Sequence, residues 1–297
     1  MSNDMLNLDV IKRAISSNNA QWKAEESVMS LLPFEEKKLL LGATPPKGEP
    51  RAEEIEQLII SKKEKMENES SIKVPTTYDL RNVDGKNFVT DIKDQFKDKC
   101  GSCVAFGTIA TVESSLRVQH NHPDLNVDLS EAHLFFCHGP ECGAACRSGW
   151  WPTAALETFK NKGVVDEECY KYEDGIEHQD CSGLCTDSES RTQKIQGYTN
   201  LTWNPTQIKE WISSKGPVSA CFVVYEDFFC YKSGIYKHCE GEIVYGHCVA
   251  IVGYNDNPGY WICKNSWSSK WGDQGFFKIA YGECAIDSWL NQGVIVN

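Results

Sequence analysis

All 14 cysteines of this 297-residue chain lie at or after Cys100, and the first third has none. That division separates a charged stretch that nothing can staple from a remainder that disulfides can cross-link. Such cysteine density is unusual in a reducing compartment and points to an oxidising one. Spacing alone cannot say which cysteine meets which. A chain of this length can bury a large core in one or two domains. Its net charge of −12 argues against nucleic acid as the main partner. No run of 18 or more apolar residues exists, so no membrane-spanning helix is expected. The first thirty residues lack a basic-then-apolar leader, which leaves a leader already removed or another route of export.

The stretch Gln95-Phe96-Lys97-Asp98-Lys99-Cys100-Gly101-Ser102-Cys103-Val104-Ala105-Phe106 carries the chemistry. From Cys103 to about Arg117, apolar residues fall at Ala105, Phe106, Ile109, Ala110, Val112 and Leu116, the spacing of a helix with one buried face. Ser102 is placed as its N-cap. Cys103 then sits where unpaired N–H groups and the positive end of the helix dipole favour a thiolate, the form in which a thiol attacks a carbonyl. His247, in Tyr245-Gly246-His247-Cys248, is the candidate acid/base, and Asn265, before Ser266-Trp267, the candidate orienter of its ring. Gln95 and the Cys103 N–H are the candidate oxyanion donors, a role worth roughly 2.7–4 kcal/mol per donor. Singly, each has a plainer reading: a buried helix thiol, a strand histidine, a turn amide. Jointly, the plain readings require three coincidences.

These motifs resemble the papain family of cysteine proteases, and the second half is most similar to the cathepsin B branch. The resemblance runs from about Val74 to the C-terminus, and more loosely over residues 1–73. It implies an α+β fold of two domains, a helical left domain at 74–185 carrying Cys103 and a barrel-like, β-rich right domain at 186–297 carrying His247 and Asn265. The order of texture agrees: helical stretches before Cys185, then β-branched and aromatic runs from Ile195 onward, at Val218–Tyr225, Cys248–Tyr254, Gly259–Lys264 and Gly275–Ile279. It also implies disulfides Cys100–Cys146, Cys137–Cys181, Cys169–Cys185 and Cys239–Cys284. A competing zinc arrangement would use Cys142, Cys146, Cys181 and Cys185 with His138 and His178, but the spacing typical of zinc sites is absent. No metal or cofactor is expected.

Residues 1–73 are similar to the short propeptide of cathepsin B precursors, which lies backwards across the cleft. Helical spacing appears at Val10, Ile11, Ala14 and Ile15, and a short helix is expected from Pro33 to Leu41 with Gly42 as its C-cap. A turn-rich linker follows at Thr44–Pro50. The stretch from Arg51 to Glu69, with Ile55, Leu58 and Ile59 at helix spacing, has no counterpart in the family pattern. The mature enzyme is expected to start near Ser71–Val74. The plainer alternative is a solvated extension.

Several departures bear on substrate. Cathepsin B removes dipeptides by means of an occluding loop with paired histidines. Here the segment between Cys169 and Cys181 is short and holds His178 alone, which implies endopeptidase action on proteins and peptides. Gly149 matches the glycine whose backbone pairs with substrate, with Trp150 beside it. Trp289 aligns with the floor of the pocket for the second residue before the scissile bond, and Asp287 lies two residues earlier. Trp267 is expected to cover the His247–Asn265 bond. Val104 replaces the usual Trp, and two extra residues separate Gln95 from Cys103. The implied protein is a monomeric cysteine endopeptidase precursor, inhibited by its own propeptide, in a lysosome- or vacuole-like compartment or secreted. The alternatives are a ligase using the same triad and a silent binding protein on a protease scaffold.

Overall fold

The structure is a computed structural model that describes residues 6–62, 74–96 and 99–297. Helix α1 (Leu8–Ser17) opens on Asn7, whose side chain accepts the Asp9 N–H at 2.8 Å, and it buries Ile11 and Ile15 one turn apart. Strand β1 (Trp22–Ala24) and helix α2 (Phe34–Lys38) follow. Helix α2 ends at Lys38 with Leu39 as its C-cap, so Gly42 is not the cap expected of it. Helix α3 (Ala52–Lys62) buries Ala52, Ile55 and Ile59, a single stripe.

Beyond strand β2 (Thr77–Asp79) comes the long helix α4 (Cys103–Gln119), buried on nearly every side over its first three turns. Residues His133–His138 form a wide π-helical turn. Helices α5 (Pro152–Asn161), α6 (Tyr172–His178) and α7 (Ser188–Arg191) complete the helical half. Pro152 takes the first turn of α5, where its missing N–H costs nothing. Helix α6 is seated so closely that a β-carbon on Gly175 would lie 2.5 Å from that of Ala132.

The second half is a sheet of β3 (Ile195–Asn200), β4 (Val218–Tyr225), β5 (Tyr231–Tyr236), β6 (Ile243–Asn255), β7 (Tyr260–Lys264), β8 (Phe276–Ala280) and β9 (Leu290–Val296), with helix α8 (Pro205–Ser214) between β3 and β4. The order is β1-β5-β8-β7-β6-β4-β9-β3, with β2 also on β6. All pairs are antiparallel except β5 with β8. Strand β4 is buried along its whole length, as a continuous apolar run requires. Helix α4 packs across β6, which brings its first turn beside the middle of that strand. Among the described residues no helix is long and apolar enough to cross a membrane.

The N-terminal segment is not a solvated extension. Ile11, Ile15, Trp22, Met29, Leu40, Leu41, Ala43, Ala52, Ile55 and Ile59 are all buried. Strand β1 extends the sheet at β5, with Trp22 opposite Gly234 and its ring 5.1 Å from Tyr236. Gly234 has φ +94°, and a β-carbon there would lie 2.3 Å from the Gln21 carbonyl. Gly234→Ala should therefore loosen β1 by roughly 1–3 kcal/mol. The expected result is at least about fivefold faster loss of the N-terminal segment in limited proteolysis, because cleavage follows the open population; an unchanged time course would mean β1 is not an anchor.

Candidate active site

Cys103 is the first residue of α4 and is fully buried. Ser102 precedes the helix, but its hydroxyl does not cap it: Oγ lies 2.6 Å from the Tyr172 hydroxyl, and the first turn closes through Ala105 N–H to the Ser102 carbonyl at 2.9 Å. Val104 is also fully buried, so the small side chain in place of Trp leaves no exposed surface.

His247 lies in the middle of β6, opposite Phe222, and is fully buried. Its Nε2 is 2.8 Å from Asn265 Oδ1, which also accepts the Ser266 N–H at 2.9 Å. An acceptor oxygen at Nε2 requires the proton there, leaving Nδ1 free to act as base. Nδ1 has no hydrogen-bond partner among the described residues. The Trp267 ring sits 4.9 Å from the imidazole and stacks on Phe229 at 5.0 Å, shielding the His247–Asn265 bond from water.

Gln95 is fully buried despite the lengthened loop. Its Oε1 accepts the Ser266 hydroxyl at 2.5 Å, and its backbone N–H donates to the Ser266 carbonyl at 2.9 Å. Those two bonds aim Nε2 at the Leu40 carbonyl (3.1 Å) and the Cys100 carbonyl (3.3 Å). Ser266 was not singled out from the sequence; its only signal was its place between Asn265 and Trp267.

The space in front of these groups is filled by residues 40–44. The Gly42 N–H donates to Cys103 Sγ at 3.2 Å. Trp150 N–H donates to the Gly42 carbonyl at 2.7 Å, and Thr44 N–H donates to the Trp150 carbonyl at 2.9 Å, a parallel pairing. On the other wall, Ala43 N–H donates to the Gly246 carbonyl at 3.1 Å. Gly42 is required here by contact: its β-carbon would lie 1.9 Å from the Gly101 carbonyl oxygen. Gly149 is held for the same reason, with Gly42 O only 2.1 Å from where its β-carbon would be. The main chain that pairs with the occupant belongs to Trp150, while Gly149 pairs with Ala145.

Burial decides the charge state. It pushes the Cys103 thiol up, against the Gly42 N–H, and it pushes His247 down to about 4, against the Asn265 hydrogen bond. Thiol and imidazole are thus both neutral in this closed arrangement. Beneath them, Lys93 Nζ bonds Asp128 (2.7 Å), Glu131 (3.0 Å) and Glu113 (3.3 Å), and Thr90 links Glu113 to Lys264. Burial raises Glu131, with Lys93 opposing, and lowers Lys264 to about 8. Helical periodicity counts only the apolar side of α4 and so passed over Glu113.

Trp289 is buried 5.8 Å from Trp151, against Gly246, and its Nε1 donates to the Pro50 carbonyl at 2.9 Å. Asp287 does not face the cleft pocket; its Oδ2 accepts from Trp261 Nε1 (3.0 Å) and Gly282 N–H (2.8 Å). Disulfides join Cys100–Cys146, Cys137–Cys181 and Cys169–Cys185. The expected Cys239–Cys284 bridge is absent, and both thiols are free. Cys239 Sγ turns to the Lys237 carbonyl at 3.3 Å, while Cys284 is buried beside Glu283. The zinc arrangement fails because Cys146, Cys181 and Cys185 are all oxidised to disulfides. No group of three or more metal-ligating side chains is assembled among the described residues.

Residues 74–293 match the profile of the papain family cysteine protease domain. The chain is 35% identical over 216 residues to cathepsin B-like protease 1 of Arabidopsis thaliana, covering 66% of this chain but only 56% of that protein. It is 33% identical over 246 residues to a gut-specific cysteine proteinase of Caenorhabditis elegans, covering 74% of this chain and 73% of that one. Among solved structures, procathepsin B S9 from Trypanosoma congolense superposes with a TM-score of 0.78 at 25% identity, covering 99% of both chains.

Because burial lowers His247, its neutral form supports the closed arrangement fully above pH 6.5, and that support is lost as pH falls towards about 4. The loss amounts to on the order of 3 kcal/mol. In NMR titration of the untrimmed Cys103→Ala chain, the His247 ring should stay neutral well below pH 6; a midpoint near 6.5 would show that the ring is solvated.

Proposed function

The chain belongs to the papain family of cysteine proteases, and on that premise we propose that it is a cysteine endopeptidase held inactive by its own residues 1–73. One observation carries the reading: residues 40–44 engage the Cys103 sulfur and the Gln95 amide together, in a strand parallel to Trp150. The proposed cut near Ser71–Val74 falls largely outside the described residues. The division into a left domain at 74–185 and a right domain at 186–297 follows the change from helices to sheet, with β2 crossing to the sheet.

Once residues 40–44 leave, water reaches Cys103 and His247, and the burial that kept both neutral is relieved. The Cys103 proton then passes to His247 Nδ1. The dipole of α4 and the imidazolium favour the thiolate, and Asn265 holds the ring through Nε2. The thiolate attacks the peptide carbonyl carbon, and the oxyanion is received by Gln95 Nε2 and the Cys103 N–H. His247 returns the proton to the departing amine, leaving a thioester. Water, deprotonated by His247, releases the acid. Nothing in the geometry singles out an amine over water, so the ligase alternative is not favoured, and an intact Cys103/His247/Asn265/Gln95 set argues against a silent scaffold.

Endopeptidase action is supported by α6, which occupies the short Cys169–Cys181 segment and is seated on Ala132 and Phe136. Trp151 and Trp289 give the proposed pocket an aromatic, uncharged lining, which favours small or aliphatic side chains over Arg. Three disulfides support an oxidising location, lysosome- or vacuole-like or extracellular.

Acidification in reducing buffer should remove the N-terminal segment from the parent chain but not from Cys103→Ala, read by intact mass and peptide cleavage. In trimmed enzyme, Gln95→Ala should lower kcat by roughly 100–1,000-fold. A trimmed, folded parent that cleaves nothing would overturn the reading, and amide products with an added amine would favour ligation.

A further inference from the structure

Helix α3 lies outside the cleft, yet it is docked as specifically as the strand inside it. Ala52, Ile55 and Ile59 are buried. The helix packs on β6 and on the turn Glu283–Ala285. Two hydrogen bonds fix it. Trp289 Nε1 donates to the Pro50 carbonyl at 2.9 Å, just before the helix, and the Tyr225 hydroxyl donates to the carboxylate of Glu56, the residue after Ile55. Tyr225 is itself clamped, its ring stacked on His238 at 3.6 Å, with His238 Nδ1 3.2 Å from the buried Asp227 carboxylate. Glu53 and Gln57 face away from the enzyme. An apolar stripe with one acid at its edge thus meets an aromatic ledge with two donors.

The linker Thr44–Pro50 joins the two docking points and contributes a rim of its own: Thr44 Oγ1 donates to the Ser148 carbonyl at 2.6 Å and lies 3.0 Å from the Tyr245 hydroxyl. A cut near Ser71–Val74 would fall on the far side of α3. Cutting there removes the covalent tie but none of these contacts.

We propose that the ledge formed by Tyr225, Trp289 and Glu283–Ala285 is an interaction surface dedicated to an amphipathic acidic helix, occupied here by α3, and that it controls how tightly the N-terminal segment closes the cleft. This inference rests on the inhibitory reading of residues 1–73. The Tyr225–Glu56 bond is a hydrogen bond to a charged group, so losing it should open the cleft about tenfold more often.

The test uses the full, untrimmed chain at neutral pH and measures the rate at which a peptidyl epoxide labels Cys103. Glu56→Ala and Tyr225→Phe should each raise that rate about tenfold. The double variant should rise no further than either single, because both remove one bond. Glu53→Gln, on the outer face, should leave the rate unchanged, and after trimming Tyr225→Phe should label like the parent. A slowly labelled parent with equally slow Glu56→Ala and Tyr225→Phe variants would overturn the docking surface alone. An untrimmed parent labelled as fast as trimmed enzyme would instead overturn the inhibitory reading beneath it.

Discussion

The closed form depends on how near two backbones can come. Residues 42 and 43 lie against Gly101, Gly149 and Gly246, and a β-carbon on Gly42, Gly149 or Gly246 would fall within 2.4 Å of a carbonyl oxygen of the facing strand. Those approaches let the Gly42 N–H reach Cys103 Sγ and let the Gly42 carbonyl reach Trp150 N–H. Everything else follows from that seal. Exclusion of water leaves Cys103 and His247 neutral, since a charge on either would be stranded in a space without solvent.

The central helix and the strands of the second half were legible because their residues obey short periods. The expected strand at Val218–Tyr225 is β4 itself, and the apolar spacing after Cys103 is α4. The pairing of His247 with Asn265 was legible for a different reason: a nucleophile, a base and an orienter have few ways to combine. What escaped reading was set by partners distant in sequence. Ser102 prefers Tyr172 to its own helix, because a buried hydroxyl must find a partner and Tyr172 supplies one. Gly42 looks like a helix terminator, yet its role is contact with Gly101. Asp287 lies two residues before the expected pocket floor, but Trp261 and Gly282 take up its carboxylate. The unformed Cys239–Cys284 bridge belongs to the same class, since pairing depends on where each thiol points.

The charges under the cleft show a second consequence of burial. Glu113 and Glu131 are nearly inaccessible, and either alone would be costly to ionise there. Lys93 between them, with Asp128 beside it, turns two isolated acids into a shared network that ties α4 to the loop before the π-helical turn. Thr90 and Lys264 extend it to the end of β7, the residue before Asn265. The two walls of the cleft are therefore joined by hydrogen-bonded charge as well as by apolar packing. That joint holds Asn265 and α4 in register.

Polarity explains how a peptide can fill a protease cleft without being presented for cutting. A substrate must bring a carbonyl carbon to the sulfur and a carbonyl oxygen to the oxyanion donors, both from one peptide group. Here Gln95 Nε2 receives the oxygen of Leu40, while the sulfur meets the N–H of Gly42, a different peptide group. The parallel pairing with Trp150 fixes that offset. The sulfur lone pair accepts a hydrogen bond from the Gly42 N–H, so it is engaged by a proton. On the inhibitory reading proposed above, reversing the strand converts the same two recognition contacts from an attack geometry into a block.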